Sequence, residues 1–588
     1  MSQIDWVVLL GTLFFIVAYG TWKTRGAQDL EGYLKGGNTA SWWGIGISIM
    51  ATQASAITFL STPGQAYADG MGFAQFYFGL PIAMIVLCVT FLPMYYRLKV
   101  FTAYEFLEQR FDLKTRTLAA LLFLIQRGLA AGITIYAPSI ILSTLLDWNL
   151  TVTNVLIGVL VILYTMSGGT KAVTQTQKQQ MAVMMGGMVI AAVMVIRMLP
   201  DAVGFDGALH VAGKMGRLNV VDWNFDLNSR YNIWSGMTAA VFLFMSYFGT
   251  DQSQVQRYLG GRSLAESRLG LVMNGLLKVP MQFLILFIGV MVFVFYQFDR
   301  PPVFFNQVVE QQVRETGQSG EYADIEARFA ELHGQKQGEL QRLVAAAKSG
   351  DEVGLRSAQA EVLRLEGQAQ SLRGQAREVI ARALPDAETN DKDYVFMRFV
   401  MDHMPIGLVG LLFAVMFCAA MSSTAGELNA LASTTTVDLY KRMVRKQASE
   451  THYVSSSRLF TLVWGVFAIL FATWASLFEN LIQAVNLLGS LFYGTILGIF
   501  LVAFYLRRVQ GNAVFLGALL AEGVVVAIHI ANAKGFAPAW LTMGYLWYNL
   551  VGCVLVGLFA LLLQGVLPTP PRPEIAGSGP LGDSQPLG

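Results

Sequence analysis

Long apolar runs separated by short polar connections fill most of the chain, and nearly every run is long enough to cross a bilayer as a helix. About thirteen such spans are predicted, at roughly 5–22, 41–62, 71–95, 118–145, 152–167, 180–198, 233–249, 270–298, 398–438, 456–476, 484–505, 511–531 and 543–566. The short alternating strands of a membrane β-barrel do not occur, so the pattern predicts an all-α membrane protein. One run is apolar enough for a membrane yet studded with hydroxyls: Phe413 to Arg442, which carries Ser422, Ser423, Thr424, Asn429, Ser433, Thr434, Thr435 and Thr436. Their spacing puts several on one helical face. Hydroxyl oxygens and free carbonyls are hard ligands suited to a small alkali cation, whereas small hydroxylated residues also serve simply to pack membrane helices closely.

Composition narrows the class. Of 588 residues, 54% are hydrophobic and 14% charged, which excludes an ordinary soluble enzyme. A net charge of +2 with no basic tract gives no reason to expect a nucleic-acid partner. Cys88, Cys418 and Cys553 all sit in apolar spans and predict neither a disulfide framework nor a metal cluster. Asp5 precedes the first apolar run without a basic region or a cleavage site, so no cleavable signal peptide is expected. Alternate connections hold about nineteen Lys and Arg residues against about four in the opposite short ones, which predicts an outside N-terminus and a cytoplasmic C-terminus in a cell membrane. An even number of spans would break that alternation.

The composition shifts abruptly between Arg300 and Asp393 to Ala, Glu, Gln, Arg and Leu. Helix-favouring runs at Tyr322–Lys348 and Glu352–Leu384, separated by Ser349–Asp351, predict a soluble antiparallel hairpin on the outer side. It is either a solvated appendage or a surface for an extracytoplasmic protein partner. The Pro/Gly/Ser-rich tail from Pro568 to Gly588 is expected to be disordered. The domain reading is 1–40 for an extra helix and cytoplasmic loop, 41–299 for a first repeat and the start of a second, and 300–393 for the hairpin. Residues 394–510 complete the second repeat, 511–567 form C-terminal helices and 568–588 the tail.

Two spans are interrupted. Ser48 to Gly64 mixes small and polar residues halfway across, and a helix that unwinds there frees carbonyls around Ala51 to Ser55. Phe244 to Arg257 brings Gly249 and Asp251 to the end of the seventh span. Interruptions five spans apart are what an inverted five-helix repeat predicts; ordinary packing accounts for Gly64 and Gly249 equally well.

The blocks Ser41–Tyr67, Phe91–Phe111, Ser167–Gly169, Gly249–Leu259, Ala419–Tyr440 and Asn486–Phe504 together resemble the sodium:solute symporter family over nearly all spans. The resemblance is greater to its monocarboxylate, iodide and vitamin carriers than to its sugar carriers. It implies a five-plus-five inverted-repeat core and a sodium site at the backbone oxygens of Ala51, Ala54 and Ala419 and the hydroxyls of Ser422 and Ser423. Many members carry an acid after the turn between the fifth and sixth spans; here Gln175–Gln180 places Gln177 there, followed by Lys178, so one coupling Na+ per cycle is expected.

The resemblance also implies pocket positions at Thr58, Tyr77, Leu80, Phe244, Tyr247 and Asn486. Only Asn486 among the sugar-binding places keeps an amide, which disfavours a galactose-like solute. Arg127 lies within an apolar stretch of the fourth span, where an arginine is costly unless paired or facing a watery cavity. Its planar fork suits a substrate carboxylate, and pairing with Glu427 or Asp251 is the alternative. Asp251, Gln252 and Arg257 are expected to form a polar network near a gate.

The expectation is therefore sodium-coupled symport of a small organic solute, with a carboxylate favoured, by alternating access. A proton-coupled or uncoupled carrier, motivated by Gln177 and Glu427, and a non-transporting scaffold that uses the hairpin are the rivals. No nucleophile–base pair, metal cluster or phosphate loop suggests an enzyme.

Overall fold

The computed structural model of the chain describes residues 1–23, 39–146, 148–201, 203–385, 387–473 and 481–567, and the expected disordered tail lies outside them. Among the described residues the chain is helical. Helices named here are α1 Gln3–Lys23, α2 Trp42–Gln53, α3 Ala56–Asp69, α4 Leu80–Val89, α5 Leu113–Leu146, α6 Leu150–Met166, α7 Val173–Arg197, α8 Ala240–Gly249, α9 Gln252–Leu259 and α10 Leu264–Phe298. They continue as α11 Ser319–Ser349, α12 Glu352–Ala383, α13 Leu408–Thr434, α14 Glu450–Ala472, α15 Leu481–Tyr505, α16 Gly511–Ala533 and α17 Trp547–Val566. Nine helical segments among the described residues are long and apolar enough to cross a membrane, and three shorter apolar ones accompany them. The Tyr164 hydroxyl is hydrogen-bonded to that of Thr176, which brings the ends of α6 and α7 together.

Both expected interruptions are real, and they are finished differently. Between α2 and α3, Ala54 takes φ −82° and ψ 81°, outside the helical region, and Ser55 is extended. Between α8 and α9, Asp251 leaves the helical region and caps α9, accepting from the Ser253 amide at 2.9 Å. The carbonyls released at this second break are taken by tyrosine hydroxyls: Tyr95 donates to Gly249 at 2.7 Å and Tyr104 to Thr250 at 2.8 Å. A buried carbonyl without a donor is costly, so these two tyrosines make the second break a closed structure.

Helix α13 runs through the middle of the bundle, packed against α1, α5, α14 and the α6–α7 pair. It is buried along nearly its whole length, which explains why its polar residues need partners inside the protein. α10 lies alongside α2 and α3.

The insert is a helical pair that docks at both ends. Gly350, at φ +72°, makes the left-handed turn that ends α11, and Asp351 caps α12 by accepting from the Gly354 amide at 3.0 Å. Lys336 and Glu366 form an ion pair across the two arms at 2.9 Å. Toward the turn, the Gln359 side-chain amide donates to the Lys214 carbonyl at 2.8 Å. At the base, Asp391 accepts from the Phe305 amide at 2.8 Å and pairs with Arg377 at 2.9 Å. The stretch that leaves the insert is buried against the membrane domain: Asp393 accepts from the Leu481 amide at 3.3 Å, and the Lys392 carbonyl lies where a Cβ on Gly64 would be 1.9 Å away. The contacts with Lys214, Leu481 and Gly64 set the insert apart from a hairpin merely tethered in solvent. The interior face of the pair is filled by its own apolar side chains, including Phe329, Leu372 and Ile380.

Candidate functional site

The first helix break faces the serine run of α13. The Ser422 hydroxyl donates to the Ala51 carbonyl at 2.9 Å, across 371 positions of chain. The Ser423 hydroxyl donates within its own helix to the Ala419 carbonyl at 2.9 Å. Ala51, Ala54, Ala419, Ser422 and Ser423 are all buried. Because α2 stops at Gln53, the Ala51 carbonyl is met by a hydroxyl from another helix. Carbonyl and hydroxyl oxygens are neutral and hard, the kind of donor that suits a dehydrated alkali cation. Both hydroxyls donate to carbonyls, Ser422 across the helix break and Ser423 within α13.

Gln177 of α7 sits beside this oxygen set. Its Nε2 donates to the Thr52 hydroxyl at 2.9 Å and to the Ser422 carbonyl at 3.3 Å, while the Ser48 hydroxyl donates to its Oε1. One amide thus joins α2, α7 and α13. The neighbouring Lys178 directs its ammonium over the Trp43 ring, 4.5 Å from the centroid. It is therefore the neutral amide at 177, more than the lysine, that sets the local charge.

Next to the break lies a narrow cavity of about 80 Å³, lined by Thr58, Phe76, Tyr77, Phe244, Tyr247 and Asn486 among others, with Arg127 and Glu427 also on its wall. Of the pocket positions expected from sequence, Thr58, Tyr77, Phe244, Tyr247, Asn486 and Arg127 line it, and Leu80 does not. Its volume is well below the several hundred Å³ of a drug-sized site, so in this conformation it suits a small solute. Two larger hollows, about 480 and 670 Å³, lie under the insert and are open to solvent; neither touches the oxygen set.

Arg127 spends its fork inside the protein. Nη1 donates to Glu427 Oε1 at 3.0 Å, and Nη2 donates to Asp251 Oδ2 and to the Tyr493 hydroxyl. Tyr493 in turn donates to Asp251 Oδ2 at 2.9 Å. Both acids named as alternative partners are engaged at once, because α5, α13 and the α8–α9 break converge here. A tyrosine in an apolar span reads as packing, so the part Tyr493 plays in this network was not legible beforehand. A substrate carboxylate reaching Arg127 has to displace one of these acids or use the unpartnered Nε. Gln252 is tied to the 101–103 loop, its Oε1 accepting from the Ala103 amide at 3.2 Å, and Arg257 donates from Nε to the Ser253 carbonyl at 3.3 Å.

A broken helix, a hydroxyl-bearing helix across from it and a buried cavity between them, set in an apolar helical bundle, define a membrane transporter. The sequence profile of the sodium:solute symporter family matches residues 33–319 and 373–521, and the chain belongs to that family. The unmatched stretch between, 320–372, falls wholly within the insert. The sodium/sialic acid symporter SiaT of Proteus mirabilis (strain HI4320) is 24% identical over 569 residues, 95% of each chain. Sodium-coupled monocarboxylate transporter 1 of Mus musculus is 34% identical over 275 residues, 46% of this chain and 44% of that protein. The chain thus spans less than half the length of that relative. A solved structure of a Na+-coupled sialic acid symporter, substrate-bound and outward-open, shares the fold with a TM-score of 0.72 at 22% identity, covering 96% of this chain and 98% of that one. Family and relatives are transporters, not enzymes.

Proposed function

We propose that this chain is a sodium-coupled symporter that carries a small organic solute by alternating access. The carrying observation is the Ser422 hydroxyl 2.9 Å from the Ala51 carbonyl at a broken, buried helix. In this reading the cotransported ion rests on the carbonyls of Ala51, Ala54 and Ala419 and the hydroxyls of Ser422 and Ser423. The solute occupies the adjoining cavity against Thr58, Tyr77, Arg127, Tyr247 and Asn486. The ion bridges α2 and α13, so its binding holds these helices in the arrangement that also shapes the solute cavity.

One Na+ per cycle is supported by the neutral Gln177 amide, which is engaged in three hydrogen bonds and adds no negative charge for a second ion. A single charge crossing about 100 mV releases roughly 2.3 kcal/mol, which sustains about a fiftyfold solute gradient before any sodium gradient is added. The surplus of Lys and Arg in alternate connections supports a bacterial inner membrane orientation with the N-terminus outside, the C-terminus cytoplasmic and the insert outside. The apolar face of the insert is consumed by its own two arms and by docking, so no protein partner is proposed for it.

Uptake into proteoliposomes tests the reading. An inward sodium gradient is expected to drive accumulation of solute at constant pH. Accumulation driven by a pH jump without sodium would establish proton coupling instead, and loss of transport confined to insert deletions would favour the scaffold.

A further inference from the structure

Two charged side chains, Arg127 and Glu427, stand on the cavity wall, and Asp251 reaches the same guanidinium from outside the lining. One guanidinium, Arg127, faces two carboxylates, Asp251 and Glu427. The two acids are not equivalent. Asp251 is saturated: Oδ2 receives Arg127 and Tyr493, and Oδ1 receives the Ser253 amide at 2.9 Å and the Ser253 hydroxyl at 2.7 Å. Glu427 holds Arg127 through Oε1 only, and its Oε2 is buried without a hydrogen-bond partner. The Thr134 hydroxyl lies within hydrogen-bonding reach of this carboxylate as well as 3.0 Å from the Ala130 carbonyl, and its one proton serves one acceptor at a time. A buried carboxylate oxygen left in that state is expensive, and a partner arriving from the cavity relieves the cost.

Aromatic rings stand on the same cavity. Phe76 lies with its centroid 5.0 Å from that of Tyr77 and 4.9 Å from that of Phe244, and Tyr77 and Phe244 are 5.9 Å apart. The fourth ring, Tyr247, already has the Arg127 guanidinium over it at 5.3 Å. A carboxylate together with a group of ring faces is the chemistry that recognises a cationic nitrogen.

We propose that the transported solute bears an ammonium or quaternary ammonium nitrogen, received by Glu427 Oε2 and the Phe76, Tyr77 and Phe244 rings. The solute class is then a small amino acid or betaine, in which a carboxylate is joined to a cation, and not a plain monocarboxylate. This rests on reading the cavity as the solute site of a sodium symporter.

The test is a thermal-shift and uptake comparison of the full-length protein with matched solutes that differ only in the nitrogen: acetate against glycine and glycine betaine, and propionate against alanine and β-alanine. At least one nitrogen-bearing member is expected to stabilise the protein in sodium and not in potassium, with at least tenfold tighter half-saturation than its nitrogen-free twin. E427Q is expected to abolish that preference, and E427D, which keeps the charge, to retain part of it. Sodium-dependent stabilisation by the nitrogen-free acids alone overturns the proposal and leaves sodium symport standing. A loss of sodium affinity in E427Q without any solute assigns Glu427 to the ion and likewise overturns it. If neither set responds in a sodium-dependent way, this proposal falls, while stabilisation by sodium alone leaves its parent reading standing.

Discussion

The Ser422 hydroxyl and the Ala51 carbonyl, 2.9 Å apart, tie the middle of one helix to the point where another breaks. Removing the hydroxyl leaves the Ala51 oxygen buried with one fewer donor and takes one oxygen from the proposed sodium set. Ser422→Ala is expected to raise the half-saturating sodium concentration at least tenfold, about 1.4 kcal/mol, in sodium-dependent thermal stability. Unaltered sodium affinity would remove Ser422 from the site.

Gln177 offers a gain-of-function counterpart. Gln177→Glu keeps the length of the side chain and the acceptor for Ser48, but turns the group facing the Ser422 carbonyl from donor to anion. Two oxygens then face each other without a proton, unless a cation comes between them. The expected result is a change from one to two sodium ions per solute in flux-ratio measurements. A ratio of two already in the unmodified protein would refute the single-ion reading.

The Arg127 network predicts a particular pattern of damage. Arg127→Ala leaves Asp251 and Glu427 facing each other in a low-dielectric interior, at a cost of about 3–5 kcal/mol. Its melting temperature should fall well below that of Arg127→Ala combined with Asp251→Asn, since the second change removes one stranded charge. Differential scanning of the two proteins in the same detergent decides it; equal melting temperatures would mean the pair is not coupled.

Outside the membrane, Glu388 gives a pH signature. Burial and then the nearby Asp393 push its carboxyl up from 4.5 to about 8. Its folded-state value is the higher one, so the stability it contributes is full below about pH 4.5 and is lost as pH rises through about 8. Wild-type protein is expected to lose thermal stability from pH 5 to pH 8, and Glu388→Gln to flatten that decline. Parallel profiles would show that another group is responsible.

Gly64 marks a contact that no side chain can share. A Cβ there falls 1.9 Å from the Lys392 carbonyl, so Gly64→Ala has to displace the segment leaving the insert. Loss of the Lys392–Asp69 ion pair, now 3.3 Å, and slower uptake are expected, whereas Gly72→Ala, which meets nothing within 4 Å, should act like wild type. Uptake rates of the two variants, normalised to folded protein, make the comparison.

The membrane class and the family were legible because both rest on long apolar runs and on blocks of residues spread along the chain. The division of the 41–62 span into α2 and α3 was visible as a cluster of small polar residues around Ala54. What no local pattern shows is convergence. Asp251 and Glu427 were each readable as a partner for Arg127, yet that both bind together depends on three segments distant in sequence meeting at one point. The tyrosines that close the second break were hidden for the same reason: Tyr95 and Tyr104 lie about 150 positions from the carbonyls they serve. The docking of the insert was hidden too, since its composition speaks of water while Gln359 and Asp393 tie it to backbone groups of Lys214 and Leu481.

That clamp has a practical consequence. Gln359 grips the connection at Lys214 and Asp393 holds the Leu481 amide, so movement of the segments beneath the helix pair is passed on to it. A spectroscopic probe on an exposed face of either arm, Arg356 for example, becomes a pointer fixed to a hidden mechanism. Rearrangements inside lipid can then be followed from water, without a single label entering the bilayer.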